Sequence, residues 1–230
     1  MTQSSNSPAQ VFAAHLLASF AKAGVRNFFI APGARSQALA IAAGQLAKAG
    51  KIDLRVRLDE RSLGFTALGA ALISGEPSVI ITTSGTAVAN LHPAVLEANH
   101  SGVPLILLTA DRPHELRGVG ANQTTDQVGI FADAVRVCFD VEAPDEDGSL
   151  DSIEELARVA ITAARGLGGP NAGPVQLNLA FREPLSSSLP NAATVEPMPL
   201  SLEPENVELE FAVLDGATPT VVIAGAEGGG

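Results

Sequence analysis

Six short apolar runs alternate with helical patterns between residues 27 and 181, and this alternation constrains the fold more than any other feature of the chain. The runs are Asn27–Ile30, Ile52–Leu58, Ser78–Thr83, Leu105–Ala110, Val135–Val141 and Val175–Phe181. Between them lie helical stretches over Ser36–Ala49, Arg61–Ser74, Thr86–Ser101, Thr125–Phe131 and Leu150–Leu167. Ahead of the first run, Ser7-Pro8-Ala9-Gln10 combines an N-cap serine, proline at the first helical position and glutamine three residues after the cap. Phe12, Leu16 and Phe20 then recur at helical spacing until Gly24. Parallel strands need crossovers, and right-handed crossovers place helices on both faces of a sheet. Strands covered on both faces read as near-continuous Val, Ile and Leu runs. The expectation is an α/β domain over residues 1–184, doubly wound, with a mainly parallel six-stranded sheet.

Composition narrows the partners. Hydrophobic residues make up 46% and charged residues 17% of the 230, too apolar a balance for a disordered chain. Lys and Arg number 14 against 25 Asp and Glu, a net charge of −11 that repels nucleic-acid phosphate. Cys138, the single cysteine, lies in an apolar run, where it is expected to be a small buried hydrophobe suited to a reducing compartment. Residues 1–8 lack the basic and apolar regions of a signal peptide, and no run approaches about 18 apolar residues. These features predict a soluble, cytoplasmic protein without membrane insertion. From Leu185 the composition shifts to Ser, Pro and acidic residues, including Glu203, Glu205, Glu208 and Glu210, so 185–219 reads as a linker. Thr220–Gly225 reads as one more strand.

In open α/β sheets, ligands bind beyond the carboxyl ends of the strands. The polar residues gather there: Ala31-Pro32-Gly33-Ala34-Arg35-Ser36, Leu58-Asp59-Glu60-Arg61-Ser62, Thr82-Thr83-Ser84-Gly85-Thr86 and Thr109-Ala110-Asp111-Arg112-Pro113. Each has a plain structural explanation beside the functional one. Asp59 and Glu60 suit the positive end of a helix dipole, although a carboxylate between an apolar strand and a small-residue helix is expected to be buried and to need a partner. Arg35 and Arg112 suit either surface ion pairs or anion capture at helix starts. Ser84-Gly85-Thr86 suits an N-cap or a close approach of ligand to backbone. There is no P-loop and no metal-ligand spacing of His and Cys, and His15 reads as a boundary residue of the first helix. Residue chemistry alone leads to a small-anion or cofactor site at the strand ends.

Five motifs carry a resemblance: Ala31–Ser36, Leu58–Arg61, Thr83–Asn90, Leu108–Pro113 and Gly120–Thr124. In this order they resemble the N-terminal pyrimidine-binding domain of the 2-succinyl-5-enolpyruvyl-6-hydroxy-3-cyclohexene-1-carboxylate synthases of menaquinone biosynthesis, over about residues 8–184. Acetohydroxyacid synthases share the glutamate and a Thr-Ser-Gly stretch but typically continue with Pro-Gly where this chain has Thr86-Ala87. The resemblance implies a thiamine diphosphate enzyme that decarboxylates 2-oxoglutarate and adds the succinyl-semialdehyde unit to isochorismate, a transferase acting as a homodimer or homotetramer. It implies that Glu60 hydrogen-bonds N1′ of the cofactor's aminopyrimidine, that Ser84, Gly85 and Thr86 lie near the cofactor, and that Arg35, Arg112 and Gln123 hold the substrate carboxylates. Many members have Ser at the position of Ala34, so one substrate hydrogen bond passes to the backbone or is lost. The family adds a central domain and a C-terminal diphosphate-binding domain with the Mg2+ ligands. Thr220–Gly225 is then expected to open a truncated central domain, and this fragment alone is not expected to turn over. A thiamine diphosphate enzyme of acetohydroxyacid synthase type and a non-catalytic flavodoxin-like module are the alternatives.

Overall fold

The computed structural model describes residues 7–145, 149–167, 169 and 171–186. The expected linker, beyond Leu185 and Ser186, and the expected strand at 220–225 lie outside the described residues. Helix α1 (Pro8–Lys22) starts with the predicted capping box: the Gln10 N–H donates to Ser7 Oγ at 3.3 Å, and the Ser7 N–H donates to Gln10 Oε1 at 3.2 Å. These two bonds satisfy donors that a helix start would otherwise leave orphaned. Then follow β1 (Asn27–Ile30), α2 (Gln37–Lys48), β2 (Asp53–Val56), α3 (Glu60–Ser74), β3 (Ser78–Thr82), α4 (Thr86–Ala89), α5 (His92–His100), β4 (Leu105–Asp111), β5 (Cys138–Val141), α6 (Leu150–Ala164) and β6 (Pro174–Ala180).

All six strands are parallel, in the order β2-β1-β3-β4-β6-β5. The chain reverses direction across the sheet twice. It runs from β1 out to β2 and back past β1 to β3; later it passes over β6 to reach β5 and returns. Right-handed crossovers put a helix on opposite faces before and after each reversal. Accordingly α1, α2 and α6 pack on one face, where Phe20, Phe28, Leu108 and Leu177 are fully buried. Helices α3, α4 and α5 cover the other with Phe29, Leu63, Leu91 and Leu107. Each such side chain taken fully out of water contributes about 1.5–3 kcal/mol. Doubly wound packing is as the alternation predicts.

Three local expectations fail. The stretch Thr86–Ser101 is two helices, broken at Asn90-Leu91. The helix expected at Thr125–Phe131 does not form; 112–134 is a long connection carrying Gly118, Gly120 and Gly129 with positive φ and short 3₁₀ turns at His114–Leu116 and Ala132–Ala134. Its cause lies beneath it. On this face β4, β6 and β5 present Thr109, Asp111, Gln176, Asn178, Cys138 and Asp140 rather than hydrocarbon, and an amphipathic helix has no carboxamides to offer them. Third, β2 is an exposed edge strand, with Val56 53% and Leu58 84% exposed, instead of a buried one. Cys138, on the opposite edge, is only half-buried; its thiol donates to Gln176 Oε1 at 3.2 Å and burial raises its pKa. Among the described residues no helix is long and apolar enough to cross a membrane.

Candidate functional site

The two reversals of the strand order set up crevices at the carboxyl ends of β1/β3 and of β4/β6, which is where such sheets bind ligands. At the first, Gly33 from the β1 turn lies so close to Thr83 from β3 that a Cβ on residue 33 would overlap the Thr83 side chain. Gly33→Ala is therefore expected to destabilise the fold by about 1–3 kcal/mol, the usual cost of overpacking, read as a lower urea midpoint.

Glu60 opens α3 at the end of β2. Asp59 caps that helix, its Oδ1 accepting from the Ser62 N–H at 2.7 Å. Glu60 is not buried as its sequence setting suggests. It is half-exposed, because β2 is an edge strand and nothing lies outside it among the described residues. Its Oε2 accepts from Asn90 Nδ2 at 3.3 Å, which aims the carboxylate across the β1/β3 crevice toward the break between α4 and α5.

Arg35 and Arg112 meet at the second crevice. Arg35 follows β1, yet its Nη1 reaches over the sheet to donate to Phe181 O at 3.0 Å, beyond β6, and lies 3.4 Å from Glu183 Oε1. Arg35 Nε is buried with no hydrogen-bond partner. Arg112 follows β4. Burial and then the neighbouring Arg35 lower its pKa, against the opposing pull of Asp111 and Glu183. Two guanidiniums that repel one another, one of them with an unsatisfied buried donor, form a receptor suited to a carboxylate or phosphate.

The predicted residues Ser84, Gly85 and Gln123 come together with Arg112, and Thr86 follows them as the exposed first residue of α4. Arg112 Nη1 donates to Ser84 Oγ and, at 2.8 Å, to Gln123 O; Ser84 Oγ in turn donates to Gln123 O at 3.0 Å. The Gln123 carboxamide is itself engaged, donating from Nε2 to Ser84 O at 3.0 Å. Gly85 has φ 81° and ψ −138°, a conformation open essentially to glycine, and a Cβ there would come within 3.2 Å of the Gln123 backbone oxygen. Gly85, not Ser84, occupies the N-cap position of α4, so the Ser84 hydroxyl is not used as a cap. Glu60 stands apart from Arg112, since the β2 and β4 axes, three strand spacings apart, are separated by roughly 14 Å, while its partner Asn90 closes α4, the helix that Thr86 opens.

Sequence reasoning missed the layer underneath. Gln127 is buried, with Oε1 accepting from the Gly85 N–H at 3.1 Å and Nε2 donating to Ala110 O at 3.1 Å and Asn178 Oδ1 at 2.7 Å. Asn178 Nδ2 donates to Asp111 Oδ2 at 3.0 Å and Asp140 Oδ1 at 2.9 Å. Arg117 closes the rim with a fork onto Asp140 at 2.8 and 3.0 Å and a contact to Asp111 at 3.2 Å. That fork holds the Asp140 carboxyl below the usual carboxylate range. A cavity of about 600 Å³ lies alongside, walled by Asp111, Arg117, Gly120, Thr124 and Gln127.

Comparison with known proteins identifies the family. The family described as "Thiamine pyrophosphate enzyme, N-terminal TPP binding domain" matches residues 11–130, which include Glu60, Ser84–Thr86, Arg112 and Gln123. Curated relatives named 2-succinyl-5-enolpyruvyl-6-hydroxy-3-cyclohexene-1-carboxylate synthase include one from Leifsonia xyli subsp. xyli, 50% identical over 227 residues that make up 96% of this chain and 38% of the relative. Those from Kineococcus radiotolerans and Clavibacter michiganensis subsp. michiganensis are 51% and 52% identical over 79% and 77% of this chain, and over 33% and 30% of their own length. The matched part of the chain thus spans 30–38% of the length of these relatives. With residues 11–130 matching over half of its length, the chain belongs to the thiamine pyrophosphate (thiamine diphosphate) enzymes, as their N-terminal cofactor-binding domain.

Proposed function

We propose that this domain is the N-terminal part of a synthase that decarboxylates 2-oxoglutarate and transfers the succinyl-semialdehyde unit to isochorismate. The observation that carries this reading is the pairing of Arg35 with Arg112 at the β4/β6 crevice while Glu60 stands accessible at the β1/β3 crevice of the same sheet edge. The names of the relatives support the same substrates. When bound, thiamine diphosphate supplies the electron sink for decarboxylating a 2-oxo acid and carrying its carbons to an acceptor.

The residues present fit that group. A half-exposed carboxylate steadied by Asn90 can accept a hydrogen bond from a protonated ring nitrogen or share its proton, which is the role proposed for Glu60. The Ser84–Thr86 turn lies at the carboxyl end of β3, where ligands of such sheets bind, and Gly85 has no side chain to push Gln123 away from it. Arg35 and Arg112 orient a carboxylate substrate by charge-assisted hydrogen bonds. Gln123 orders this end through Ser84 and Arg112, and its carboxamide, with one N–H given to Ser84 O, has a second N–H and Oε1 to offer a substrate. Mg2+ and the diphosphate are proposed to be held by another part of the polypeptide, in a cytoplasmic homodimer or homotetramer.

The test is an assay of the full-length protein with thiamine diphosphate, Mg2+, 2-oxoglutarate and isochorismate. The expected result is CO2 release coupled to formation of 2-succinyl-5-enolpyruvyl-6-hydroxy-3-cyclohexene-1-carboxylate. Conversion of pyruvate to an acetohydroxy acid instead would replace this reading with the acetohydroxyacid synthase one, and a purified protein that retains FMN would replace it with a flavodoxin-like module.

A further inference from the structure

We propose that Gln127 is the positioning residue of the Ser84–Thr86 turn, and that Asn178 sets which way round the Gln127 carboxamide sits. The argument is one of polarity. Asp111 and Asp140 offer only acceptors to Asn178, so the Asn178 NH2 must face them, at 3.0 and 2.9 Å. That leaves Asn178 Oδ1 toward Gln127, which must answer with its own NH2, at 2.7 Å. The second Gln127 NH2 hydrogen goes to Ala110 O at 3.1 Å, and only Oε1 remains. Oε1 is the group that meets the Gly85 N–H, at 3.1 Å.

Two carboxylates, the buried Asp111 and the part-exposed Asp140, thus dictate, through two buried carboxamides, that an acceptor points at Gly85. The other edge of the same peptide unit, Ser84 C=O, accepts from Gln123 Nε2 at 3.0 Å. The Ser84–Gly85 peptide is clamped on both edges, in a conformation that costs energy and persists only where its surroundings over-determine it. Turning either carboxamide over would set oxygen against oxygen in a buried network, where mismatches cost most. A supporting bond has the same sense, Thr109 Oγ1 donating to Asn178 Oδ1 at 3.2 Å, and Gln176 Nε2 holds the Gln127 backbone by donating to its carbonyl oxygen at 2.9 Å.

Any catalytic consequence rests on the proposed placing of this turn beside the cofactor; the local consequence does not. The experiment compares Gln127→Met, which has neither donor nor acceptor, with Gln127→Glu in the full-length protein. Hydrogen–deuterium exchange of the segment 83–90, turnover and a melting curve are followed from pH 5.5 to 8.5. In Gln127→Met, Gly85 exchanges at least tenfold faster than in the parent while the central strands keep their protection, and turnover is low at every pH.

The introduced carboxyl group of Gln127→Glu keeps two of the three bonds when protonated, with C=O toward Gly85 and its one O–H toward Asn178, and gives up the bond to Ala110 O. Once ionised, it faces Asn178 Oδ1 and Ala110 O as an acceptor only. The charges around it are Asp111 on β4, Asp140 on β5 with His114 on its outer side, and Arg112, Arg117 and Asp126 on the 112–134 connection. The buried setting favours the neutral form, so Gly85 protection and turnover are near the parent's at the acidic end and fall as pH rises. The parent and Gln127→Met have no such step. Parent-like Gly85 protection in Gln127→Met, or flat profiles in both variants, overturns the proposal. Faster exchange at Gly85 with parent-like turnover supports the positioning role and overturns instead the placing of the turn at the cofactor.

Discussion

Glu60→Gln in the full-length protein lowers turnover by at least about a hundredfold, the scale on which a positioned acid–base group contributes, and leaves folding nearly untouched. The substitution preserves shape and an oxygen that can still accept from Asn90 Nδ2. Asp59 continues to cap α3 through Ser62, so the helix keeps its start. What is lost structurally is one negative charge in the first turn of a helix, worth roughly 0.3–1 kcal/mol, or a few degrees in melting temperature. What is lost chemically is the proton acceptor: a carboxamide can present N–H or C=O to a ring nitrogen but cannot take up or share its proton. The effect therefore falls on kcat, with the KM values little changed. Steady-state kinetics beside a melting curve separate the two, and a variant turning over at near the parent's rate would remove Glu60 from the role proposed here.

The half-exposure of Glu60 also marks where the sequence stops being legible. Ile52–Leu58 contains Arg55 and Arg57 at alternate positions, the pattern of an edge strand, but its apolar residues fit a buried run equally well. Which strand lies at the edge depends on sheet order, and that is settled by long-range packing. The capping box of α1 and the strand-helix alternation were legible because both are written within a few residues. Strand β6 was legible as a strand, but Val175-Gln176-Leu177-Asn178-Leu179 alternates apolar and polar residues, a sign that one face meets a polar cover. Reading that alternation would have argued against a helix at Thr125–Phe131 and toward a partner such as Gln127. Arg35 and Phe181 lie 146 positions apart in the chain, and no local pattern announces that they meet.

Arg112→Gln and Arg35→Gln are each expected to raise the KM for the carboxylate-bearing acceptor by roughly ten- to a hundredfold, the equivalent of one hydrogen bond to a charged group at about 1.5–3 kcal/mol. The competing explanation is that both arginines are struts: Arg112 ties Ser84 to Gln123, and Arg35 ties the β1 turn to the end of β6. A strut and a clamp predict different kinetics. Losing a strut loosens the Ser84–Gly85 turn, so kcat falls and Gly85 exchanges faster, with KM following only weakly. Losing a clamp leaves the turn in place and costs substrate binding. The two single variants need not agree, since only Arg112 bonds the turn directly. The double variant adds a further test, because two groups that grip one carboxylate are coupled. Removing both should cost less than the sum of the single effects, partly because the bound carboxylate offsets the repulsion between the arginines only while both are present. Arg→Lys at either position is not expected to restore the KM, since an ammonium lacks the planar fork that a carboxylate engages. Unchanged KM in both single variants would reduce the pair to struts and return the question of how the acceptor is held to the rest of the crevice.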